Sequence, residues 1–281
     1  MYLIAILKES RPGVDFRAFA EAQKTKPARE GRPLPESPAC YIPSGYSTIR
    51  KVHAVQSPTY RLLELGRLLT ETFVTHGGSC TTKLVRLRDE VFTQQSAQDI
   101  DFQHLSDRYT YEAIRLTTQI YAHALLHRIP FSASSRQLMT SSSYRSLQPG
   151  FLSTEGRYIE GCALHIHIRN ALMRTDMTDC WGQMAGVLFW IALVAGAAGN
   201  PTTTPEHDAS HFEGGEEEEA LKWLAAIAVR CSIVLGFQFG PAVMQTVKAL
   251  EGIQQMLRAS PVTETIAVSY THLTLPTTPY V

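Results

Sequence analysis

The segment Cys180-Trp-Gly-Gln-Met-Ala-Gly-Val-Leu-Phe-Trp-Ile-Ala-Leu-Val-Ala-Gly-Ala-Ala-Gly-Asn-Pro-Thr-Thr-Thr-Pro205 carries no charged residue and decides the fold. A stretch of this kind either crosses a bilayer or forms the innermost helix of a large core. Its unbroken apolar part covers only residues 184–199, because a glutamine precedes it and Asn200-Pro201 follows it. A spanning helix needs about 20 mostly apolar residues, so the length favours a buried helix.

Small residues within this segment point the same way. They crowd its second half, which suits close approach of neighbouring protein helices more than contact with lipid. Gly182 and Gly186 form a GxxxG pair, but any buried helix rich in small residues yields such a match. Asp179 and Glu206 are the nearest flanking charges, so no Lys/Arg cluster sets a membrane orientation. We predict a buried core helix, with a membrane-associated helix over 184–199 as the alternative.

The composition of the 281-residue chain is that of a globular protein with a substantial core. Hydrophobic residues make up 44% and charged residues 19%, and the formal net charge is zero. A neutral chain lacks the overall electrostatic footprint that is typical of proteins that bind nucleic acid or anionic membranes. The five cysteines form no CxxC pair and follow no secretory leader, so we expect an intracellular, reduced protein.

The two ends of the chain are expected to lie outside the main helical region. Residues 1–57 are rich in proline, which prevents long helices and favours an extended or disordered, largely irregular leader. Residues 259–281 are expected to form an irregular tail, because the helical pattern stops near Arg258. Within this tail, residues 268–281 resemble the in-frame translation of a transposase-type sequencing adapter and are excluded from the interpretation as an artefact.

Helical patterns fill residues 58–258 between these ends. Ser106 or Asp107 is expected to cap the helix predicted over 109–128, and Pro130 is expected to end it. Four glutamates after residue 215 complement the dipole of the helix predicted over 216–236. Residues 132–149 and 202–215 are expected to be polar loops, the first a flexible linker or insertion. Helices are predicted over residues 60–76, 81–95, 109–128, 155–174, 184–199, 216–236 and 241–258.

Short alternating strands do not recur, although residues 165–168 leave a short strand open as the alternative to a helix. The predicted fold class is therefore all-α. We expect a multi-helix, bundle-like regulatory domain with about six to eight helices around a buried apolar, Trp-containing helix. Trp190 and Trp223 are assigned to core packing.

Histidine pairs are the first candidates for chemistry. His123 and His127 lie four residues apart on one helix face, a spacing that binds zinc, but no third ligand is in view. The residue after His123 is Ala124, so the metalloprotease HExxH motif is absent. His165 and His167 would share a face only in a strand, and in a helix they point apart.

Two other candidates lie in predicted turns or loops. His207 and His211, with Asp208 between them, are a weak chelating set in a polar loop, and Cys80 follows Gly77-Gly78-Ser79 at a helix–helix turn. Nucleotide-binding GxGxxG and P-loop motifs are absent, as is the GxSxG nucleophile elbow. We therefore predict no enzyme, cofactor, metal or catalytic residue. The alternative is a helical enzyme or metal-binding protein that uses His123, His127 and Cys80.

Three blocks of sequence in the helical region resemble one family. The blocks, in order, are Tyr111-Glu-Ala-Ile-Arg-Leu116 continuing to Tyr121-Ala-His-Ala-Leu-Leu-His-Arg-Ile-Pro-Phe131; Leu172-Met-Arg-Thr-Asp176 with Cys180-Trp-Gly and residues 187–198; and Ala220-Leu-Lys-Trp223 with Ala228-Val-Arg230 and Leu235-Gly236. They resemble the fungal-specific transcription factor domain, the helical region C-terminal to the DNA-binding head in fungal binuclear zinc cluster regulators. The resemblance covers roughly residues 58–258.

This resemblance implies a nuclear, regulatory domain of a transcription-factor-like protein. Such a domain acts through contacts with other proteins or with itself, and a small-molecule effector in a helical cavity is a further expected partner. The six-cysteine zinc cluster of the family's DNA-binding head is absent from this chain, so direct, specific DNA binding is not expected. The resemblance carries over no catalytic residue, and a fold alone would not license one.

Overall fold

A computed structural model of the chain describes residues 2–8, 36–40, 45–76, 81–141, 163–200 and 214–259. These ranges contain α-helices and one 3-10 helix but no strand, so the predicted all-α class is confirmed for the described part of the chain. The helices are α1 (Tyr2–Leu7), α2 (Ile49–Val52), α3 (Pro58–Thr75), α4 (Thr81–Phe92), α5 (Leu105–His127), α6 (Phe131–Thr140), α7 (Leu164–Leu172), the 3-10 helix (Gly182–Met184), α8 (Ala185–Ala198) and α9 (Gly214–Ala259).

The uncharged segment forms α8, which is the centre of the fold. All 14 of its residues are buried, because α1, α5, α6, α7 and α9 surround it. A helix that is hydrophobic on every side belongs in such a position. The Trp190 ring meets Tyr121 of α5 edge-on, with 5.5 Å between the ring centroids. The prediction of a buried Trp-containing core helix is confirmed.

Glycines near the end of α8 let its neighbours approach closely. A Cβ atom on Gly196 would collide with Leu7 of α1. A Cβ atom on Gly199 would lie 2.6 Å from Leu221 and 2.7 Å from the His165 ring, well inside van der Waals contact. Small residues therefore set the distance between α8 and its neighbours. None of the helices in the described ranges is both long and apolar enough to span a bilayer.

The last helix, α9, differs from the prediction of two helices. It runs without interruption for 46 residues, through Gly236 and Pro241, where a helix end and a helix start were expected. Proline within a helix costs about 3 kcal/mol, but the apolar stripe on both sides of it stays in phase. Burial of this stripe along the whole bundle favours one helix. Its buried residues are Leu224, Ala228, Cys231, Leu235, Val243, Val247, Leu250, Ile253 and Leu257.

Packing of α9 on α8 is the most extensive helix contact in the described structure, as expected for the two tryptophan-bearing helices. The two tryptophans differ in depth, however. Trp190 is fully buried, whereas Trp223 is half-buried and packs against the edge of the core. Both tryptophans therefore take part in core packing as predicted, Trp190 at the centre and Trp223 at the edge.

Helix α5 begins earlier than predicted, and a helix replaces part of a predicted loop. The N-cap of α5 is His104, without a side-chain cap, so Ser106 and Asp107 lie inside the first turn. Residues 131–140 form α6 and not a flexible linker, because Phe131 and Leu138 are buried against the bundle. The Ser134 hydroxyl also donates to the Ile120 carbonyl at 2.9 Å. The remainder of that predicted loop lies outside the described residues.

The segment around His165 is the helix α7, so the alternative of a short strand is wrong. Its first residue is Leu164, and the earlier part of the helix predicted over 155–174 lies outside the described residues. The polar loop predicted over 202–215 lies outside them as well, except for its last two residues, with which α9 begins.

Parts of the proline-rich leader belong to the core, which corrects the expectation of an extended or disordered segment. Ile6 of α1 and Tyr46 are buried, and the Tyr46 hydroxyl donates to the Leu63 carbonyl of α3 at 3.0 Å. Pro38 packs on α3 directly above Gly66. The irregular tail and the adapter-like residues 268–281 lie outside the described residues.

Glu36 explains how one part of this leader is held in place. Its carboxylate accepts hydrogen bonds from the backbone N–H groups of Ser47 at 2.5 Å, Thr48 at 2.9 Å and Ile49 at 2.9 Å. Burial alone would raise the pKa of Glu36, but these hydrogen bonds outweigh burial and lower it. The carboxylate thus satisfies the open N–H groups at the start of α2 and joins two parts of the leader.

Candidate functional site

The helical pair His123 and His127 is assembled as the sequence predicts, on one face of α5. The two ring centroids lie 4.3 Å apart, and His123 Nδ1 lies 3.2 Å from the Ser134 hydroxyl of α6. Burial, with smaller contributions from His127 and Arg88, lowers the pKa of His123 to about 4. Burial and Arg88 also lower the pKa of His127. Both imidazoles are therefore neutral at physiological pH.

This pair does not gain a third metal ligand within the described residues. They contain no group of three histidine, cysteine, aspartate or glutamate side chains that could hold a metal ion. The nearby Arg88 guanidinium is positively charged and opposes a cation at this place. The pair fits a packing role between α5 and α6, with Ser134 as its polar contact.

His165 and His167 lie on α7 and are both buried. Neither nitrogen of the His165 ring reaches a hydrogen-bond partner in the described structure. Burial lowers the pKa of His165 to about 4. The nearby backbone of Glu217 acts in the opposite direction, although it forms no hydrogen bond with the ring. This histidine is a buried neutral ring wedged against Gly199. Cys80, His207, Asp208 and His211 lie outside the described residues.

Two cysteines that the sequence keeps far apart meet in the structure. Cys180, before the 3-10 helix, and Cys231 of α9 are buried free thiols in contact with each other. Burial raises the pKa of Cys231 far above its usual range, and the Cys180 thiol raises it further. A thiol that resists ionisation in this way is a poor nucleophile, so Cys231 fits a packing role.

The turn that positions Cys180 has an unusual backbone. Cys180 has φ +48°, Trp181 φ +64° and Gly182 φ +53°, so two residues with side chains occupy the left-handed region in succession. The Trp181 ring N–H donates to the Thr175 hydroxyl at 3.0 Å, which holds the turn. Left-handed conformations of such residues cost about 1–3 kcal/mol each and persist only where packing imposes them.

Aliphatic side chains around this turn form an exposed surface. Arg230 donates to the Thr178 carbonyl at 3.0 Å and so places α9 beside the turn. Arg174 donates to the Tyr109 hydroxyl at 3.0 Å and so places the start of α5 there. The 3-10 helix contacts α2. We call the exposed aliphatic residues of these elements the apolar surface: Val52, Val55, Leu105, Met173, Val229 and Ile233.

A groove lies elsewhere, where the segment 36–40, α3 and the C-terminal half of α9 meet. Its volume is about 550 Å³, and Ala39, Val74, Ile253 and Met256 contribute most of its apolar wall. Lys248 stands at its edge as the sole charged residue among those that line it. We call it the α3–α9 groove. The sequence alone does not predict this groove, because its walls come from opposite ends of the chain. The one sign of it in the sequence is Val74, an apolar residue at the end of α3 in addition to those that form the apolar face of that helix.

The structure supports the two surfaces better than it supports a catalytic site. The histidine candidates that the structure describes gain no third metal ligand, and the Ser134 hydroxyl beside His123 donates its proton to the Ile120 carbonyl. The apolar surface and the α3–α9 groove are formed by packed, described helices. Comparison of the chain with protein-family models, with curated proteins and with solved structures found no significant match.

Proposed function

We propose that this chain is a regulatory domain of a fungal transcription-factor-like protein, which acts in the nucleus through contacts with other proteins or with itself. The observation that carries the proposal is the apolar surface around residues 173–184. The resemblance of the three sequence blocks supplies the regulatory and nuclear context, and the all-α fold with its buried Trp190 helix is compatible with that resemblance.

The apolar surface supports a partner-binding function because its residues are aliphatic, exposed and carried by elements that meet at one turn. Leu105 is 64% exposed, Met173 59% and Ile233 53%. Single exposed aliphatic residues are common, whereas several on neighbouring elements are what an interaction site would require. Of the seven large hydrophobic residues exposed in the described ranges, only Val74 lies away from it.

The charges near this surface favour a protein partner. Asp176 and Asp179 are exposed in the turn, and Arg230 of α9 lies beside them. A surface with an apolar centre and charges of both signs at its rim is typical of protein–protein interfaces. It also suits contact with a second copy of the same chain, since acidic and basic groups on one patch complement each other across a two-fold axis.

Arrangements that support the enzyme alternative are weaker. His123 contacts the Ser134 hydroxyl, and the Arg88 guanidinium near both His123 and His127 opposes a metal cation or a positively charged intermediate there. The contacting thiols of Cys180 and Cys231 are both buried, and the raised pKa of Cys231 makes that thiol a poor nucleophile. These features weigh against a site built on the described histidines and cysteines, and the apolar surface remains the better supported feature.

A reporter experiment tests the proposal directly. The chain is fused to an unrelated DNA-binding domain and expressed in yeast with a reporter gene behind the matching operator. We expect the fusion to change transcription, and the double variant Leu105→Glu/Ile233→Glu to lose most of this change. The control is Thr82→Glu, which places the same charge on an exposed residue of α4, a helix that contributes to neither the apolar surface nor the α3–α9 groove.

Self-association is measured in parallel by analytical ultracentrifugation of the purified chain. If the partner is a second copy, the sedimentation coefficient rises with concentration, and Leu105→Glu/Ile233→Glu abolishes the rise. A well-folded fusion that leaves the reporter unchanged would contradict the regulatory function. Equal effects of the double variant and of Thr82→Glu would contradict the assignment of the apolar surface.

A further inference from the structure

We infer that the α3–α9 groove binds an aliphatic monocarboxylate, whose hydrocarbon chain lies on the apolar wall and whose carboxylate pairs with Lys248. This inference deepens the proposed function by naming the class of effector and its site. It depends on that function only for the regulatory consequence of binding, and the binding itself is measured on the isolated chain.

The wall of the groove has the chemistry that a hydrocarbon chain requires. Val74 is 47% exposed at the end of α3, and across the groove Ile253 is buried while Met256 is half-buried on α9. Methionine is flexible and adapts to ligands of varied shape. The volume of about 550 Å³ falls within the ~300–1,000 Å³ that is usual for small-molecule sites.

The floor of the groove leaves room for the chain. Ala249 and Gly252 of α9 line it with the two smallest side chains, and a Cβ atom on Gly252 would meet no atom within 4 Å. A glycine inside a helix costs about 1 kcal/mol relative to alanine. Packing within the described structure does not require this glycine, so the space above it is open to a bound molecule.

The polar groups of the groove select a carboxylate at one edge. Lys248 is exposed, and no described carboxylate forms an ion pair with it. The other polar groups are already engaged: the Thr70 hydroxyl donates to the Pro38 carbonyl and contacts the Tyr121 hydroxyl at 2.7 Å, and Gln255 donates to Glu251 at 3.1 Å. The ammonium group of Lys248 is therefore the group that sets the charge of the ligand.

An aliphatic carboxylate matches this arrangement better than a purely apolar or a cationic molecule. The apolar wall buries its hydrocarbon chain at about 25 cal/mol per Å² removed from water, which supplies the affinity. The exposed Lys248 adds a modest ion pair, which supplies the preference of head group. An alkyl ammonium ion would place its charge next to Lys248 and be repelled.

The experiment is a calorimetric titration of the purified, delipidated full-length chain with dodecanoate below its micelle concentration. We expect saturable binding with one molecule per chain. Dodecanol, with the same hydrocarbon chain and no charge, is expected to bind about threefold more weakly. Dodecyltrimethylammonium is expected to bind more weakly still.

Variants on one helix separate the groove from the rest of the surface. Gly252→Leu fills the floor of the groove and is expected to weaken dodecanoate binding at least tenfold. The matched control is Gly236→Leu on the same helix, where a Cβ atom also meets nothing within 4 Å and which does not line the α3–α9 groove. Lys248→Met is expected to weaken dodecanoate about threefold and to leave dodecanol unchanged.

Circular dichroism and thermal melting show whether each variant is folded. The inference is overturned if the folded chain shows no saturable binding, if Gly252→Leu and Gly236→Leu bind alike, or if the alkyl ammonium ion binds as well as dodecanoate. Failure here leaves the reporter result at Leu105 and Ile233 intact, because those residues lie away from the groove. Conversely, an inactive reporter fusion does not alter the titration.

Discussion

The interior around α8 and the interior around the N-terminal half of α5 are equally buried but contain different kinds of side chain. On α8 every side chain is apolar, and the one polar side-chain group, the ring N–H of Trp190, has no hydrogen-bond partner in the described structure. On α5, Glu112 is 0% and Arg115 1% exposed, so a complete ion pair is buried. The two regions show that burial in this fold is achieved either by removing charge or by pairing it.

The buried pair is closely satisfied. Arg115 donates through Nε at 2.9 Å to one carboxylate oxygen of Glu112 and through Nη2 to the other, and the Ala97 backbone N–H donates to Glu112 at 3.1 Å. Such a pair ties the loop before α5 to the helix. The α8 interior depends instead on shape, so the two regions should respond differently to mutation, pH and salt.

Glu112→Ala is expected to have the largest effect on stability. It leaves the Arg115 guanidinium buried without its carboxylate, and breaking a buried pair in this way costs about 3–5 kcal/mol of unfolding free energy. Urea denaturation of the purified protein measures the change. The double variant Glu112→Leu/Arg115→Leu should recover much of the loss. Arg61→Ala, which removes the exposed Arg61–Glu90 pair, is the control with little effect. A single variant as stable as this control would contradict the paired interior.

Leu193→Ala tests the apolar interior in the same assay. The truncation leaves a cavity in the middle of α8, where neighbouring helices surround the side chain, and is expected to cost about 3 kcal/mol. The cost should be the same at low and high salt, since no charge is involved. Met173→Ala is the matched control, because that side chain is 59% exposed. A cost that disappears in high salt would show that the contrast between the two interiors is false.

His165 is the titratable group that makes the α8 side sensitive to pH. Its pKa is lowered from 6.5 to about 4 in the folded protein, so between these values the unfolded chain binds more protons. Stability is therefore unaffected by this group above about pH 6.5 and falls as the pH drops toward 4, by up to about 3 kcal/mol. Buried His123 acts in the same direction.

The measurement is the unfolding free energy of the wild type and of His165→Leu between pH 7.5 and 4.5. The variant should show a shallower decline, and exposed His76→Ala should follow the wild type. If His165→Leu declines as steeply as the wild type, the His165 ring is not the source of the acid sensitivity, and His123 becomes the next residue to test.

Gly199→Ala is expected to have the smallest effect of the four and tests how closely α8 is packed. The added methyl group would press on Leu221 and on the His165 ring, and overpacking of this kind costs about 1–3 kcal/mol. Gly236→Ala is the matched control, since a Cβ atom there meets nothing within 4 Å and alanine favours the helix by up to about 1 kcal/mol. We expect the melting temperature to fall for Gly199→Ala and to rise for Gly236→Ala. Changes of the same sign would contradict the close packing around Gly199.

Local sequence was sufficient for the helical class, for α8 and for α3 and α4 to within a few residues. The reason is that a run of uncharged residues stopped by Asn200-Pro201, or an apolar pattern with a period of 3.6, depends only on neighbours in the chain. The spacing of His123 and His127 was equally informative, because residues four apart on a helix meet whatever surrounds them.

Contacts between distant residues decided the rest. The continuity of α9 through Pro241 opposes local propensity and is favoured by an apolar stripe whose burial requires the other helices. Glu36 meets residues 47–49, Cys180 meets Cys231, and the Cys40 thiol lies 3.1 Å from the Thr246 hydroxyl, 206 positions away.

The α3–α9 groove and the apolar surface belong to this second group. Each is assembled from elements that no local pattern connects, and exposure of Val74 or Leu105 becomes meaningful only when its neighbours are known. The sequence alone thus determined the all-α class and the helix that is buried on every side, because those properties follow from local composition and periodicity. The tertiary structure alone decided which surfaces remain open to a partner or a ligand, because exposure is a property of the packed whole.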